Sequence, residues 1–70
     1  MSGSLDKLAS MANQIARNFA AEGEDEAVTA TAQHIRSFWD PRMRGMIREH
    51  LAHGGEGLSD IARAAVARLA

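Results

Sequence analysis

One dipeptide, the aspartate and proline at positions 40 and 41, constrains this chain more than any other feature, because it holds the only proline. An aspartate carboxylate can accept hydrogen bonds from free N–H groups at a helix start, and proline is favoured at the first helical position. A proline also disfavours helical geometry in the residue before it, so an earlier helix must end near Trp39. The stretch from Ser37 to Arg44 is therefore predicted to be a corner between two helices.

Apolar residues recur at the three- and four-residue spacing of an amphipathic helix in four segments. The predicted helices cover about residues 5–21, 24–38, 41–53 and 60–69, and no segment alternates as a strand would. The expected fold class is therefore all-α, a small bundle of three to four helices. We expect a single domain over residues 1–70, with residues 1–4 frayed.

Capping residues set the expected ends of these helices. Ser4 and Ser59 are plausible N-caps, and Gly23 can take the positive φ that ends a helix. The glycine-rich segment 54–57 is interpreted as a tight turn, because it lacks the Lys-Ser/Thr of a phosphate loop and contains an acidic Glu56. Asn13 and Arg63 are expected to point away from the core.

Composition excludes several functions. The absence of cysteine rules out disulfides, Fe–S ligation and thiolate zinc sites in this chain. A net charge of −1 gives no basic field to attract nucleic acid. No apolar run approaches the ~20 residues of a membrane span, and no signal peptide opens the chain. We therefore expect a cytoplasmic protein with neither nucleic acid nor membrane as partner.

The sequence contains no recognisable catalytic or metal-binding constellation. His34 is predicted to pack or to form a hydrogen bond, and His50 and His53 alone are too few ligands for zinc. A chain of 70 residues rarely supplies more than about 3–5 kcal/mol of stability from its own core. Because its bulky apolar residues are few, we expect its stability to depend partly on a partner or on self-association.

The corner is the best candidate for a partner-binding surface. Aromatic residues, methionine and arginine are enriched at interface cores, and all three types are concentrated here. Trp39 has two interpretations that the sequence leaves open. It is either an interface anchor or the plug of the chain's own core, where its burial would contribute up to roughly 5 kcal/mol.

Three segments resemble a known family. Residues 11–16 read MANQIA, residues 34–44 fit H-I/L-x-x-FWDPRMR, and residues 50–58 fit HL-x-x-GG-x-GL. In this order and at this length they are similar to the small delta subunit of bacterial NAD-dependent formate dehydrogenase. FWDPRMR is the specific string, whereas residues 22–26 and the segment after residue 58 match only loosely.

The resemblance implies an accessory subunit without its own active site. The soluble cytoplasmic complex of this family oxidises formate, and its large subunit holds molybdenum on bis-molybdopterin guanine dinucleotide together with Fe–S clusters. Other subunits carry FMN and bind NAD, so this chain alone is expected to bind no cofactor. The delta subunit is associated with assembly of the enzyme or with insertion or retention of the molybdenum cofactor.

Roles can then be assigned to the corner residues as a hypothesis. Phe38, Trp39 and Met43 would be apolar anchors against the large subunit. Arg42 and Arg44 would pair with carboxylates or with cofactor phosphates. Asp40 and Pro41 would set the corner.

Two other classes of function remain as hypotheses. One is a stand-alone regulator that binds nucleic acid through Arg42, Arg44 and Arg48. The other is a helical module that associates with itself through the apolar corner.

Overall fold

The computed structural model describes residues 3–69, which form four α-helices and no strand. These are α1 (Gly3–Phe19), α2 (Glu24–Phe38), α3 (Pro41–Ala52) and α4 (Asp60–Ala67). A single 3₁₀ turn, Ala20–Glu22, follows α1. The predicted all-α bundle is confirmed.

The helix ends agree with the prediction within two residues: α2 matches at both ends, whereas α1 begins and ends two residues earlier than predicted. α1 begins at Gly3, so Ser4 lies inside the helix and the prediction that it is the N-cap is wrong. Gly3 and Ser4 are thus helical, while the rest of the predicted frayed segment lies outside the described residues. α4 ends at Ala67, and turn hydrogen bonds continue to Leu69. Such shifts are usual where terminal turns tighten.

The predicted caps at the two later helix starts are present. The Oδ1 atom of Asp40 accepts a hydrogen bond of 2.8 Å from the N–H of Met43, and Pro41 occupies the first helical position. The Oγ atom of Ser59 accepts from the N–H of Ala62 at 3.3 Å. Gly23, between the 3₁₀ turn and α2, has a φ of 101°.

The core is thin and rich in alanine. Among residues 3–69, half of the fourteen buried apolar residues are alanines, which allow the helices to approach closely. The bulky members of the main cluster come from every helix and from the two later connections, and they are Leu8, Ile35, Trp39, Ile47, Leu58 and Val66. A smaller cluster joins Val28 and Ala32 of α2 to Ala65 of α4.

The glycine-rich connection between α3 and α4 begins as a Schellman motif. The N–H of Gly55 donates to the carbonyl of His50 at 2.9 Å, and the N–H of Gly54 donates to the carbonyl of Leu51 at 3.0 Å. Gly55 is buried with a φ of 63°, and a Cβ atom there would lie 2.8 Å from the Leu51 side chain. The glycine-rich segment is therefore a tight turn, as the sequence predicted, and it leaves no room for a side chain at Gly55.

Candidate interaction site at the α2–α3 corner

The two adjacent aromatic residues of the corner have opposite environments. Trp39 is 4% exposed, whereas Phe38 is 74% exposed. The difference arises because Phe38 is the last residue of α2 while Trp39 has left the helix, with φ −90° and ψ 140°. The N–H of Trp39 still donates to the carbonyl of Ile35 at 2.9 Å, so the backbone turns directly at the helix end.

Trp39 is a core residue in this chain. Its side chain belongs to the main buried cluster, and the half-buried Met43 packs against that cluster. The sequence left open whether Trp39 is an interface anchor or a core residue, and in the structure it is a core residue. The corner's exposed aromatic is Phe38, whose ring centroid lies 4.6 Å from that of the half-buried His34.

The two arginines of the FWDPRMR string also differ. The Nη1 atom of Arg44 donates to the carbonyl of Trp39 at 2.5 Å and, more weakly, to that of Arg36 at 3.4 Å. Carbonyls at a helix C-terminus lack intrahelical donors and carry partial negative charge, so a guanidinium there is doubly favourable. Arg42 is exposed, and its side chain forms no hydrogen bond with another described residue. Its charge therefore remains available to a partner.

A shallow apolar groove runs between the first half of α1 and the start of α3. Its volume is about 420 Å³. The residues that line it are Ser4, Lys7, Leu8, Met11, Asp40, Arg42, Met43 and Met46. Three of the seven residues predicted to bind a partner, at positions 40, 42 and 43, thus lie on one groove.

The comparison with known families decides what kind of chain carries this corner. Residues 7–66 match the family described as "NADH-dependant formate dehydrogenase delta subunit FdsD". The chain belongs to this family. The match spans the corner and the whole glycine-rich connection, so the resemblance inferred from three short segments is confirmed. Comparison with curated proteins and with solved structures found no match.

Sequence reasoning about this delta subunit missed two contributors to the groove. Neither Lys7 nor Met11 is among the seven residues that the sequence predicted to bind a partner. The structure places both on the groove wall, where Met11 is 37% exposed. The helical period alone could not show this, because residues at the edge of an apolar stripe become core or surface according to how far the neighbouring helix stands away.

Two of the three histidines of the delta subunit contact its own backbone. The Nε2 atom of His50 lies 2.8 Å from the carbonyl of Glu56, and the Nδ1 atom of His53 lies 2.9 Å from the carbonyl of Glu49. Within residues 3–69, no group of three or more His, Cys, Asp or Glu side chains is arranged to hold a metal ion. Over the same residues, no helix has the length and hydropathy needed to cross a membrane.

Proposed function

We propose that this chain is a non-catalytic accessory subunit of a molybdenum-containing, NAD-dependent formate dehydrogenase of the cytoplasm. It binds the large catalytic subunit and supports assembly of the complex or insertion or retention of the molybdenum cofactor. The observation that carries the proposal is the family match over residues 7–66. The architecture supports it, since a small helical bundle with an exposed aromatic corner is suited to binding another protein.

The seven predicted contact residues divide into two roles in this proposal. Phe38, Arg42 and Met43 face the partner, because the first two are exposed and the third lines the groove. Trp39, Asp40, Pro41 and Arg44 hold the corner that presents them. Fully burying an exposed phenylalanine side chain contributes roughly 1.5–3 kcal/mol before the losses of association, so one such anchor matters.

The cofactors of the complex belong to its other subunits under this proposal. Fe–S clusters need cysteine thiolates, and this chain has none. Bis-molybdopterin guanine dinucleotide carries phosphates that arginine can bind bidentately. Because the guanidinium of Arg44 already donates to two carbonyls, any contact with those phosphates from this corner would fall to Arg42.

Co-purification tests the proposal. The tagged full-length chain, expressed in its host, is expected to capture the large subunit, and the captured enzyme is expected to contain molybdenum. A host that lacks the chain should yield less formate dehydrogenase activity and less molybdenum per large subunit. Capture of no formate dehydrogenase subunit, together with full activity and metal content in the deletion strain, would overturn the proposal.

The structure does not favour the nucleic-acid hypothesis. Of the three arginines that motivated it, Arg44 is committed to carbonyls within the corner. The other two, Arg42 and Arg48, line different cavities on α3. Self-association stays a prediction, which sedimentation of the purified chain would check.

A further inference from the structure

The groove at the corner continues along the whole of α3. A second cavity of about 320 Å³ is lined by Leu5 of α1 and by Met46, Glu49, His50 and His53 of α3. Met46 lines both cavities, so the two are adjacent, and together they are here called the α1–α3 groove. Thirteen residues separate Asp40 from His53, which at a rise of about 1.5 Å per residue makes the groove roughly 20 Å long.

The floor and walls of the α1–α3 groove are mostly flexible and apolar. Met11, Met43 and Met46 line it together with Leu5 and Leu8. Leu8 is buried, while the methionines are only partly covered by the rest of the chain. Methionine side chains adapt to irregular partner surfaces, and methionine-rich grooves are used to bind amphipathic helices.

Charge divides the groove into two ends. Lys7 and Arg42 line the end at the start of α3, and neither side chain forms a hydrogen bond or ion pair with another described residue. The two cations outnumber the one carboxylate at that end, Asp40, whose Oδ1 atom already accepts from the N–H of Met43. The end at the start of α3 is therefore net positive, and the opposite end carries the carboxylate of Glu49.

We propose that the α1–α3 groove receives one amphipathic helix of the large catalytic subunit. The apolar face of that helix lies on the methionines, and an acidic residue of the helix faces Lys7 and Arg42. This inference rests on the proposed function and assigns its docking surface. Complementary charge fixes the direction of the bound helix, because reversing the helix would bring its acidic end to Glu49.

The shape of the groove favours a helix of another protein over a second copy of this chain. A two-fold dimer would place the groove of one copy against the same concave groove of its partner. Two concave surfaces leave unfilled space, and unfilled space forfeits the packing energy that a close fit supplies. A convex helix fills the groove without that loss.

Paired charge variants of the full-length tagged chain test the proposal. Arg42→Glu and Met11→Glu should each reduce capture of the large subunit by at least about tenfold, because each sets a carboxylate against the acidic or apolar part of the bound helix. Arg48→Glu on α3 and Ser10→Glu on α1 carry the same substituted side chain outside the groove and should capture normally. Arg42→Glu places an acid near a helix start, which is favourable, so its effect does not arise from unfolding.

The outcomes separate this inference from the proposed function. If the wild-type chain captures the large subunit and both groove variants do so equally well, the groove assignment is wrong while the accessory role stands. If the wild-type chain captures no large subunit, both are wrong. Loss of capture by the groove variants, with normal capture by both controls, supports the assignment.

Photo-cross-linking gives a second readout that does not depend on the charge variants. A photoreactive phenylalanine analogue at position 11 should cross-link to one helical segment of the large subunit with an Asp or Glu within about one turn of the site. The same analogue at position 10, outside the groove, should not reach that segment. Cross-links from position 11 to a second copy of this chain, or to lipid, would overturn the proposal.

Discussion

The side chain of Asn13 forms hydrogen bonds with Gly57 and Ser59, two residues of the connection between α3 and α4. Its Nδ2 atom donates to the carbonyl of Gly57 at 2.7 Å, across 44 positions of the sequence. Its Oδ1 atom accepts from the N–H of Ser59 at 2.8 Å. In a capping box, a glutamate or glutamine three residues into the helix would satisfy that N–H group. Ala62 occupies that position here, so Asn13 supplies the acceptor from α1.

Asn13→Ala should therefore lower the free energy of unfolding by about 1–2 kcal/mol, since two hydrogen bonds between distant segments are lost. Asn13→Asp should cost less, because it keeps the acceptor for Ser59 and loses only the donor. Urea denaturation followed by circular dichroism measures both. Asn18→Ala is the control on the same helix, since Asn18 only accepts a 3.4 Å bond from Gln14. An equal loss for both alanine variants would contradict the bridging role.

The neighbouring aromatic residues of the corner should respond in opposite ways to truncation. Trp39→Ala removes a core side chain and should cost about 3–5 kcal/mol, which is comparable to the whole stability of a domain this small. Phe38→Ala removes an exposed side chain and should change stability by no more than about 0.5 kcal/mol. Thermal unfolding of the isolated chain compares them. Similar losses of stability in both variants would show that Phe38 is also part of the core.

Capture of the large subunit by the Phe38→Ala and Trp39→Ala variants reports on two different properties of the chain. A folded Phe38→Ala variant that captures less large subunit reports directly on the interface. Trp39→Ala would reduce capture through loss of the fold, so it cannot distinguish a contact from a scaffold. Capture by Phe38→Ala at the wild-type level would remove Phe38 from the proposed anchors.

Replacing Thr31 with valine should raise the stability of the chain. Its hydroxyl oxygen is fully buried on α2 and has no hydrogen-bond partner. Valine has nearly the same shape and no hydroxyl to desolvate, so Thr31→Val should raise the free energy of unfolding by about 1–2 kcal/mol. Thr29→Val is the matched control, because the exposed Thr29 hydroxyl accepts a 3.0 Å bond from Arg68. A loss of stability in Thr31→Val would indicate that the hydroxyl has a partner in solution.

Replacing either of two glycines with alanine should change the stability of the chain, but in opposite directions. Gly45 lies inside α3, and a Cβ there meets no atom within 4 Å. Gly45→Ala should therefore stabilise the chain by about 0.5–1 kcal/mol through higher helix propensity. Gly55→Ala should destabilise it, because its φ of 63° strains any side chain and the new Cβ would lie 2.8 Å from Leu51. The midpoints of urea denaturation compare the two variants. Equal midpoints for Gly45→Ala and Gly55→Ala would contradict the Schellman geometry at Gly55.

Local signals account for most of what could be predicted. The spacing of apolar residues located four helices, and the corner dipeptide and Ser59 located two helix starts to the residue. These predictions succeed because a cap side chain accepts from the N–H group only three residues later, so the sequence contains the whole interaction. The start of α1 was placed wrongly at Ser4, since a serine near a chain end can cap a helix or simply lie within it.

Distant contacts account for what could not be predicted. Arg63 is exposed and Asn13 is half-buried, and both bind the glycine-rich connection. The guanidinium of Arg63 donates to the carbonyls of Gly54 and Gly55 at 2.8 and 3.1 Å. Helical periodicity assigns a side chain to a face, but it does not say which loop of the folded chain lies over that face.

The sequence by itself determined that this chain is an all-α bundle with a capped corner and that it resembles the formate dehydrogenase delta subunit. Only the tertiary structure decided that Trp39 fills the core, that Phe38 is exposed, and that Arg42 rather than Arg44 keeps a free charge. The physical reason is that helix formation and capping depend on atoms a few residues apart. Burial and pairing depend on which helices meet, and two adjacent residues of similar chemistry can then face opposite environments.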